Sequence, residues 1–270
     1  MELPAWRNSI KIISSIIVCI FLLSCSREAE ILFSQAKEFW KKGEYTEAAN
    51  TFQRFVSNYP DNSHLAEAYH NLGNIYYLYL EDYRSAVKYY RQVFKHDKKK
   101  EFICDTQWNI ARIYLEEFRD YNQAIVEYKR FIEINKDNIK DIEAQINVAE
   151  SYSSLKYFSQ AITEYEIILQ NYPKNKYNDQ IFFRLGNLYF LENRFDVAHN
   201  YYKKAIKNTS DKKITLKSTL SLAECYYKMG ELKQALGIYK KLYAQSDHYK
   251  SILEKKIEDI EKNFYVTVED

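Results

Sequence analysis

The chain has 270 residues, 46% of them hydrophobic and 28% charged, enough to build a core and to solvate a surface. Five Gly and three Pro are too few for a protein of many tight-turned strands, and 26 Tyr point to amphipathic aromatic packing. The 39 basic and 37 acidic residues nearly cancel and are interleaved, which excludes a basic stripe for nucleic acid. The densest basic run, Lys98–Lys99–Lys100, reads as a solvated loop.

In chain order, Arg7 and Lys11 precede an almost wholly apolar run from Ile12 to Leu23. That run is short for a bilayer span and suits a signal-peptide core. It ends Leu22–Leu23–Ser24–Cys25, which resembles the bacterial lipobox: an aliphatic residue, a small residue, then the obligatory Cys. The resemblance implies removal of residues 1–24, a covalent lipid on Cys25 and a short linker, 25–28, before the folded body. Cys19 fails the pattern because Val18 precedes it. An ordinary signal peptide or a single-pass anchor is the alternative reading. Two or three acyl chains hold a protein at a membrane where one binds marginally. Ser26 after the Cys implies, by the same resemblance, the outer membrane rather than the inner.

From about residue 29 the chain repeats itself every 37 or 38 residues. A small residue recurs at Ala36, Gly73, Ala111, Ala149, Gly186 and Ala223, and an aromatic follows three residues later at Phe39, Tyr76, Tyr114, Tyr152, Tyr189 and Tyr226. A second small residue recurs at Ala48, Ala86, Ala124, Ala161, Ala198 and Ala235, followed after four residues by Phe52, Tyr90, Tyr128, Tyr165, Tyr202 and Tyr239. Small residues let two antiparallel helices approach closely, and aromatics on the same face fill the gap beside them. The spacing therefore predicts six helix pairs, approximately 29–62, 63–100, 101–138, 139–175, 176–212 and 213–248. Gly43, Asn193 and Gly230 stand where a first helix closes in the left-handed conformation. Tyr59–Pro60 and Tyr172–Pro173 stop two second helices. Repeats 2 and 3 carry one extra residue, near Glu81–Asp82–Tyr83 and Phe118–Arg119–Asp120, to be absorbed in a longer helix or turn. Beyond the sixth pair, Ile252, Leu253, Ile257, Ile260 and Phe264 recur at helical spacing, which predicts a capping helix over 249–264 and a tail over 265–270.

These columns resemble the tetratricopeptide repeat over residues 29–248. The resemblance implies an all-α, right-handed superhelical solenoid of six helix–turn–helix units with the capping helix at its end. It also implies protein or peptide partners, held in a concave groove lined by the first helices. The corresponding positions supply the groove candidates Lys37, Trp40, His70, Asn74, Tyr77, Trp108, Arg112, Phe183, Asn187 and Phe190. Trp40, Trp108 and Phe183 fit packing between neighbouring helices equally well. Phe33 stands where a carboxylate-clamp repeat needs a basic residue, which argues against capture of a chain-terminal carboxylate.

Nothing predicts catalysis. His64, His70, His96, His199 and His248 are scattered, there is no Gly-rich phosphate loop and no HExxH. No metal, no small-molecule substrate and no cofactor beyond the lipid is expected. Cys104 and Cys225 have no CxxC spacing and read as buried apolar residues, a disulfide between them remaining open.

The segment from Phe52 to Ser63, followed by Ala66 to Tyr77, resembles two envelope families: the barrel-assembly lipoprotein BamD and the Tol–Pal coordinator YbgF/CpoB. The short link from Cys25 to the first repeat favours the BamD-like plan, though that family has five repeats. The pilotin family of type IV pilus secretins shares a lipid and six repeats. The implied function is a lipid-anchored adaptor at the periplasmic face of the outer membrane. An accessory subunit of a peptidoglycan-acting enzyme is the competing class.

Overall fold

The computed structural model describes residues 26–98, 100–135, 138–245 and 250–266, and among them every regular element is a helix. The expected signal peptide, Cys25 and residues 267–270 lie outside the described residues. The chain divides into two units, 1–137 and 138–270. In the first, three helix pairs follow one another: α1 (26–41) with α2 (Tyr45–Asn58), α3 (Leu65–Leu78) with α4 (Tyr83–His96), and α5 (Ile103–Arg112) with α6 (Tyr121–Ile134). The second holds α7 (Asn138–Ser154) with α8 (Phe158–Asn171), α9 (Asn178–Leu191) with α10 (Phe195–Asn208), α11 (Lys212–Lys228) with α12 (Leu232–Gln245), and α13 (Lys250–Val266). No described helix is long and apolar enough to cross a membrane.

The small-residue columns sit where the helices of a pair cross. Ala36, Ala111, Ala149 and Ala223 are fully buried, as are Ala48, Ala86, Ala124, Ala161, Ala198 and Ala235. At two crossings even alanine is too large. A Cβ on Gly73 would lie 2.3 Å from the Tyr90 ring, and one on Gly186 would lie 2.6 Å from Tyr202. The rings of Tyr90, Tyr128, Tyr165 and Tyr202, with Phe52, are among the largest fully buried side chains, so this aromatic column is the core of each repeat.

First helices close alike. Gly43, Lys156, Asn193 and Gly230 all have positive φ. In each case the next N–H reaches five residues back, as Glu44 N does to Phe39 O at 3.0 Å and Arg194 N to Tyr189 O at 2.9 Å, which is the Schellman pattern. Glu81 and Arg119 take the left-handed place in repeats 2 and 3, one residue later. The extra residue is taken up by widening the helix end. Leu80 N bonds Ile75 O at 3.0 Å, and a π-helical turn, Ile113–Glu117, extends α5 so that Phe118 N meets Ile113 O at 3.0 Å. Asp82 and Asp120 then cap α4 and α6 through Ser85 N and Gln123 N.

Helix α13 occupies the place of a seventh first helix. Three contacts agree on its register. Lys256–Glu224 at 2.9 Å repeats Arg184–Glu150, Tyr227–Asp259 at 3.0 Å repeats the Tyr77–Arg112 contact, and Lys240–Glu261 at 2.6 Å repeats the Gln53–Tyr76 contact. All three put exposed Glu258 at the small-residue position, where no second helix crosses among the described residues. Leu253 and Ile260 are buried against repeat 6, Ile257 is half-buried and Ile252 is exposed. Phe264's side chain lies outside the described residues.

Candidate functional site: the face of the first helices

The groove candidates fall into three structural groups, one for each helical position. Those three residues before the small position turn inward onto their own second helix. Trp108 meets Tyr128 and Phe131 edge-on with ring centroids 5.5 and 5.0 Å away, and Phe183 lies 6.0 Å from Tyr202. His70 packs against Tyr90 and Phe102, and its Nδ1 is 3.0 Å from Thr106 Oγ1. Burial holds the His70 imidazole below its ordinary 6.5, partly opposed by Asp105, Asp97 and Glu67.

Residues one after the small position are tied to the buried aromatic column. Tyr90 OH donates to Asn74 Oδ1 at 2.6 Å, Tyr202 OH to Asn187 Oδ1 at 2.8 Å and Tyr239 OH to Glu224 Oε2 at 2.9 Å. Burial pushes the hydroxyls of Tyr90, Tyr202 and Tyr239 up, so they remain donors. Burial alone would raise the Glu224 carboxyl, but hydrogen bonds from Lys256 and Tyr239 outweigh it and hold the group below the ordinary carboxylate range. In repeat 1 the column holds Phe52, which has no hydroxyl. Lys37 instead pairs with Glu67 at 2.9 Å. Arg112 bonds Glu116 at 2.9 Å and lies 5.9 Å over the Tyr77 ring.

Residues four after the small position stand at the helix ends. Trp40 meets Tyr79, Tyr77 meets Tyr83, and Phe190 meets Phe195, all edge-on.

In the 138–270 unit these side chains border two neighbouring hollows. One, of about 210 Å³, is lined by Glu150, Ser153, Ser154, Tyr165, Arg184, Asn187, Leu188 and Leu191. The other, of about 350 Å³, is lined by Asn187, Phe190, Leu191, Tyr202, Ser221 and Glu224. Asn187 and Leu191 belong to both. Arg184 and Glu150 face each other at 2.5 Å across the first. Of the ten candidates, the structure thus gathers Asn187 and Phe190 here, while Phe183 lies behind them in the core. Glu150 and Glu224, which share Asn187's column of groove-facing positions, complete the hollows together with Arg184, Leu191 and Ser221, and these last three were not singled out by sequence.

A second column was invisible in the sequence. Five residues after the second small position, in repeats 1, 2, 4 and 5, a side chain reaches the next repeat. Gln53 Nε2 donates to Tyr76 OH at 2.8 Å, Arg91 Nη2 to Tyr114 OH at 3.1 Å, Tyr189 OH donates to Glu166 at 2.9 Å, and Lys203 lies 5.8 Å over Tyr226. The residue type varies while the contact persists, so no pattern of identities marks it. No group of His, Cys, Asp and Glu among the described residues could hold a metal ion.

Tetratricopeptide-repeat models match residues 29–62, 66–100, 105–138 and 183–249. No curated protein matches the chain. Solved structures match at low identity. The C-terminal part of a TPR repeat-containing protein from Cytophaga hutchinsonii is 18% identical, with 81% of this chain and 82% of that one covered and a TM-score of 0.60. A tetratricopeptide repeat protein from Parabacteroides merdae is also 18% identical, over 86% and 88%, with a TM-score of 0.55. YrrB, described as a TPR protein with an unusual peptide-binding site, is 18% identical over 68% and 88%, with a TM-score of 0.51. At these identities the likeness is one of fold.

Proposed function

Because the chain belongs to the tetratricopeptide-repeat family, we propose that it is a binding scaffold that takes an extended peptide segment across the first helices of its 138–270 unit. The observation that carries this is the pair of hollows sharing Asn187 and Leu191. Side chains of an extended chain alternate in direction and advance about 3.3 Å per residue, so neighbouring hollows suit two side chains on one side of a peptide. The first hollow, with Arg184, Glu150 and two serines, suits a polar side chain. The second, walled by Phe190, Leu191 and the Tyr202 ring, suits an apolar one. Asn187 spends its carbonyl on Tyr202 and so presents its N–H donors to a peptide carbonyl. No catalytic family is indicated, in keeping with an adaptor role.

The envelope reading extends this proposal. Leu22–Leu23–Ser24–Cys25 and the short linker to α1 support a lipid anchor on Cys25, and Ser26 supports the outer membrane. A BamD-like role in outer-membrane protein assembly is the reading we favour, on the wording of residues 52–77 and the early first repeat. Pilotin-like or Tol–Pal roles are the alternatives within the class, and an accessory subunit of a peptidoglycan-acting enzyme is the alternative outside it.

Selection of binders from a random peptide library tests the groove. Selected peptides are expected to lose at least tenfold in affinity for the Asn187→Ala and Arg184→Ala proteins. Unchanged affinity in both, with helicity intact, refutes the assignment.

A further inference from the structure

Repeat 3 contains a buried charge that its packing does not require. Glu127 on α6 has a side chain only 3% exposed. Its two carboxylate oxygens accept from Gln123 Nε2 at 2.6 Å and from Gln107 Nε2 at 2.7 Å. Arg130 Nη1 stands 3.3 Å from both oxygens, and Arg91 Nη2, on α4, 3.9 Å from one. Burying a carboxylate costs several kcal/mol before its partners offset it. Other repeats close the same helix crossing without one. Tyr69 and Tyr89 stack there in repeat 2 with centroids 6.4 Å apart, and Phe182 and Tyr201 lie 6.3 Å apart in repeat 5. Repeat 4 repeats the amide–acid pair as Gln145–Glu164 at 3.2 Å but has Ile167 in place of Arg130.

Glu127 places one guanidinium, that of Arg130, directly; Arg91 is held by Tyr114 OH at 3.1 Å and drawn to the same carboxylate at 3.9 Å. Arg91 and Arg130 are both more than half exposed, with side-chain exposures of 53% and 59%. They flank a hollow of about 600 Å³ lined also by Phe94 and Ile110. Each guanidinium has five N–H donors; Tyr114 OH takes one from Arg91, and the single carboxylate, already held by two amides, uses few of the rest. Two cations against one anion leave the hollow with a net positive charge. Its open mouth is set between planar forks that match a carboxylate in two-point geometry.

We propose that this hollow, on α4, α5 and α6, binds a carboxylate side chain of an acidic peptide segment, with Arg91 and Arg130 as the ligating groups and Phe94 as the apolar contact beside it. Glu127, itself fixed by Gln107 and Gln123, and Tyr114 act as positioning residues for Arg130 and Arg91. The site is built from residues of the 1–137 unit alone and shares none with the hollows of the 138–270 unit.

The probe is a fluorescein-labelled dodecapeptide of alternating Glu and Leu, with its Gln–Leu counterpart as the neutral control. The full chain is expected to bind the acidic peptide at least tenfold more tightly than the neutral one. Arg91→Gln/Arg130→Gln should abolish that preference, while Lys88→Gln/Lys95→Gln, which removes the same charge from the neighbouring surface of α4, should preserve it. Arg91→Lys/Arg130→Lys keeps the charge but loses the forks and should fall between, which keeps the test decisive if the Gln protein unfolds. Asn187→Ala should leave this binding untouched, so failure here and failure of the peptide groove are separable. Equal loss in the Arg and Lys double variants overturns the proposal. So does a preference for inorganic phosphate over the acidic peptide, or the absence of any preference in the unaltered chain.

Discussion

Tyr90 shows how much one side chain decides. Its ring is fully buried, closes against Gly73 with no room for a Cβ, and its hydroxyl fixes Asn74. Gly73→Ala should therefore cost about 1–3 kcal/mol through forced displacement of a packed ring, against helix propensity, which alone would favour Ala. Gly237, mid-helix in α12 with nothing within 4 Å of an added Cβ, supplies the contrast. Gly237→Ala should stabilise by about 0.5–1 kcal/mol. Urea denaturation of both reads the opposite signs. His70 adds a pH dependence. Its folded pKa lies below the unfolded 6.5, so the unfolded chain takes the proton first. The stability this gives is present above about pH 6.5 and lost as the pH falls below it. The loss in urea midpoint between pH 7.5 and 5.5 should be smaller in His70→Gln than in the unaltered chain; equal losses would show that His70 is not the group responsible. Small residues and aromatics were legible as columns because close packing demands a size. Asn74 and Asn187 were legible as groove positions but not as partners of the buried tyrosines, since a hydroxyl needs only an acceptor and Asn74, Asn187 and Glu224 all serve.

At the scale of the helix, the repeat is a closing turn and a crossing. Gly43, Asn193 and Gly230 could be read as turn residues because their types favour positive φ. Glu81, Arg119 and Lys156 adopt it too, against their intrinsic preference, because the crossing dictates where the first helix must end. The extra residue of repeats 2 and 3 was countable in the sequence. Where it went, into the helix end at Leu80 and the π-helical turn before Phe118, was a matter of packing. Helix α13 follows the same logic: it keeps the contacts of a first helix and places Glu258 where a second helix would cross. Lys255, Glu258 and Lys262 leave that side charged and exposed. Ending the chain after residue 249 should uncover Tyr239 and Leu242, lowering the thermal midpoint and raising binding of an apolar dye. An unchanged midpoint would mean that α13 contributes no cover.

For the whole molecule, the fold was legible and the proposed peptide face only partly so. Repetition reveals stacking, because every repeat must satisfy it. Specificity resides in positions that differ from repeat to repeat, and there sequence alone could not separate Trp108 and Phe183, which face the core, from Asn187, which borders the hollows. The proposed anchor makes a prediction at this scale. Labelled palmitate should enter the full chain expressed in a bacterium with lipoprotein processing, and should not enter Cys25→Ser. Incorporation equal in both, or in neither, removes the lipid and leaves the scaffold. The proposed peptide face has a more direct test. A photoreactive benzoylphenylalanine at Leu191, 56% exposed beside both hollows, is compared with the same group at Thr163, exposed on the second helix α8 and lining neither hollow. With a library-selected peptide bound, the account predicts crosslinks from position 191 and none from 163. Crosslinks from 163 and not from 191 would contradict it.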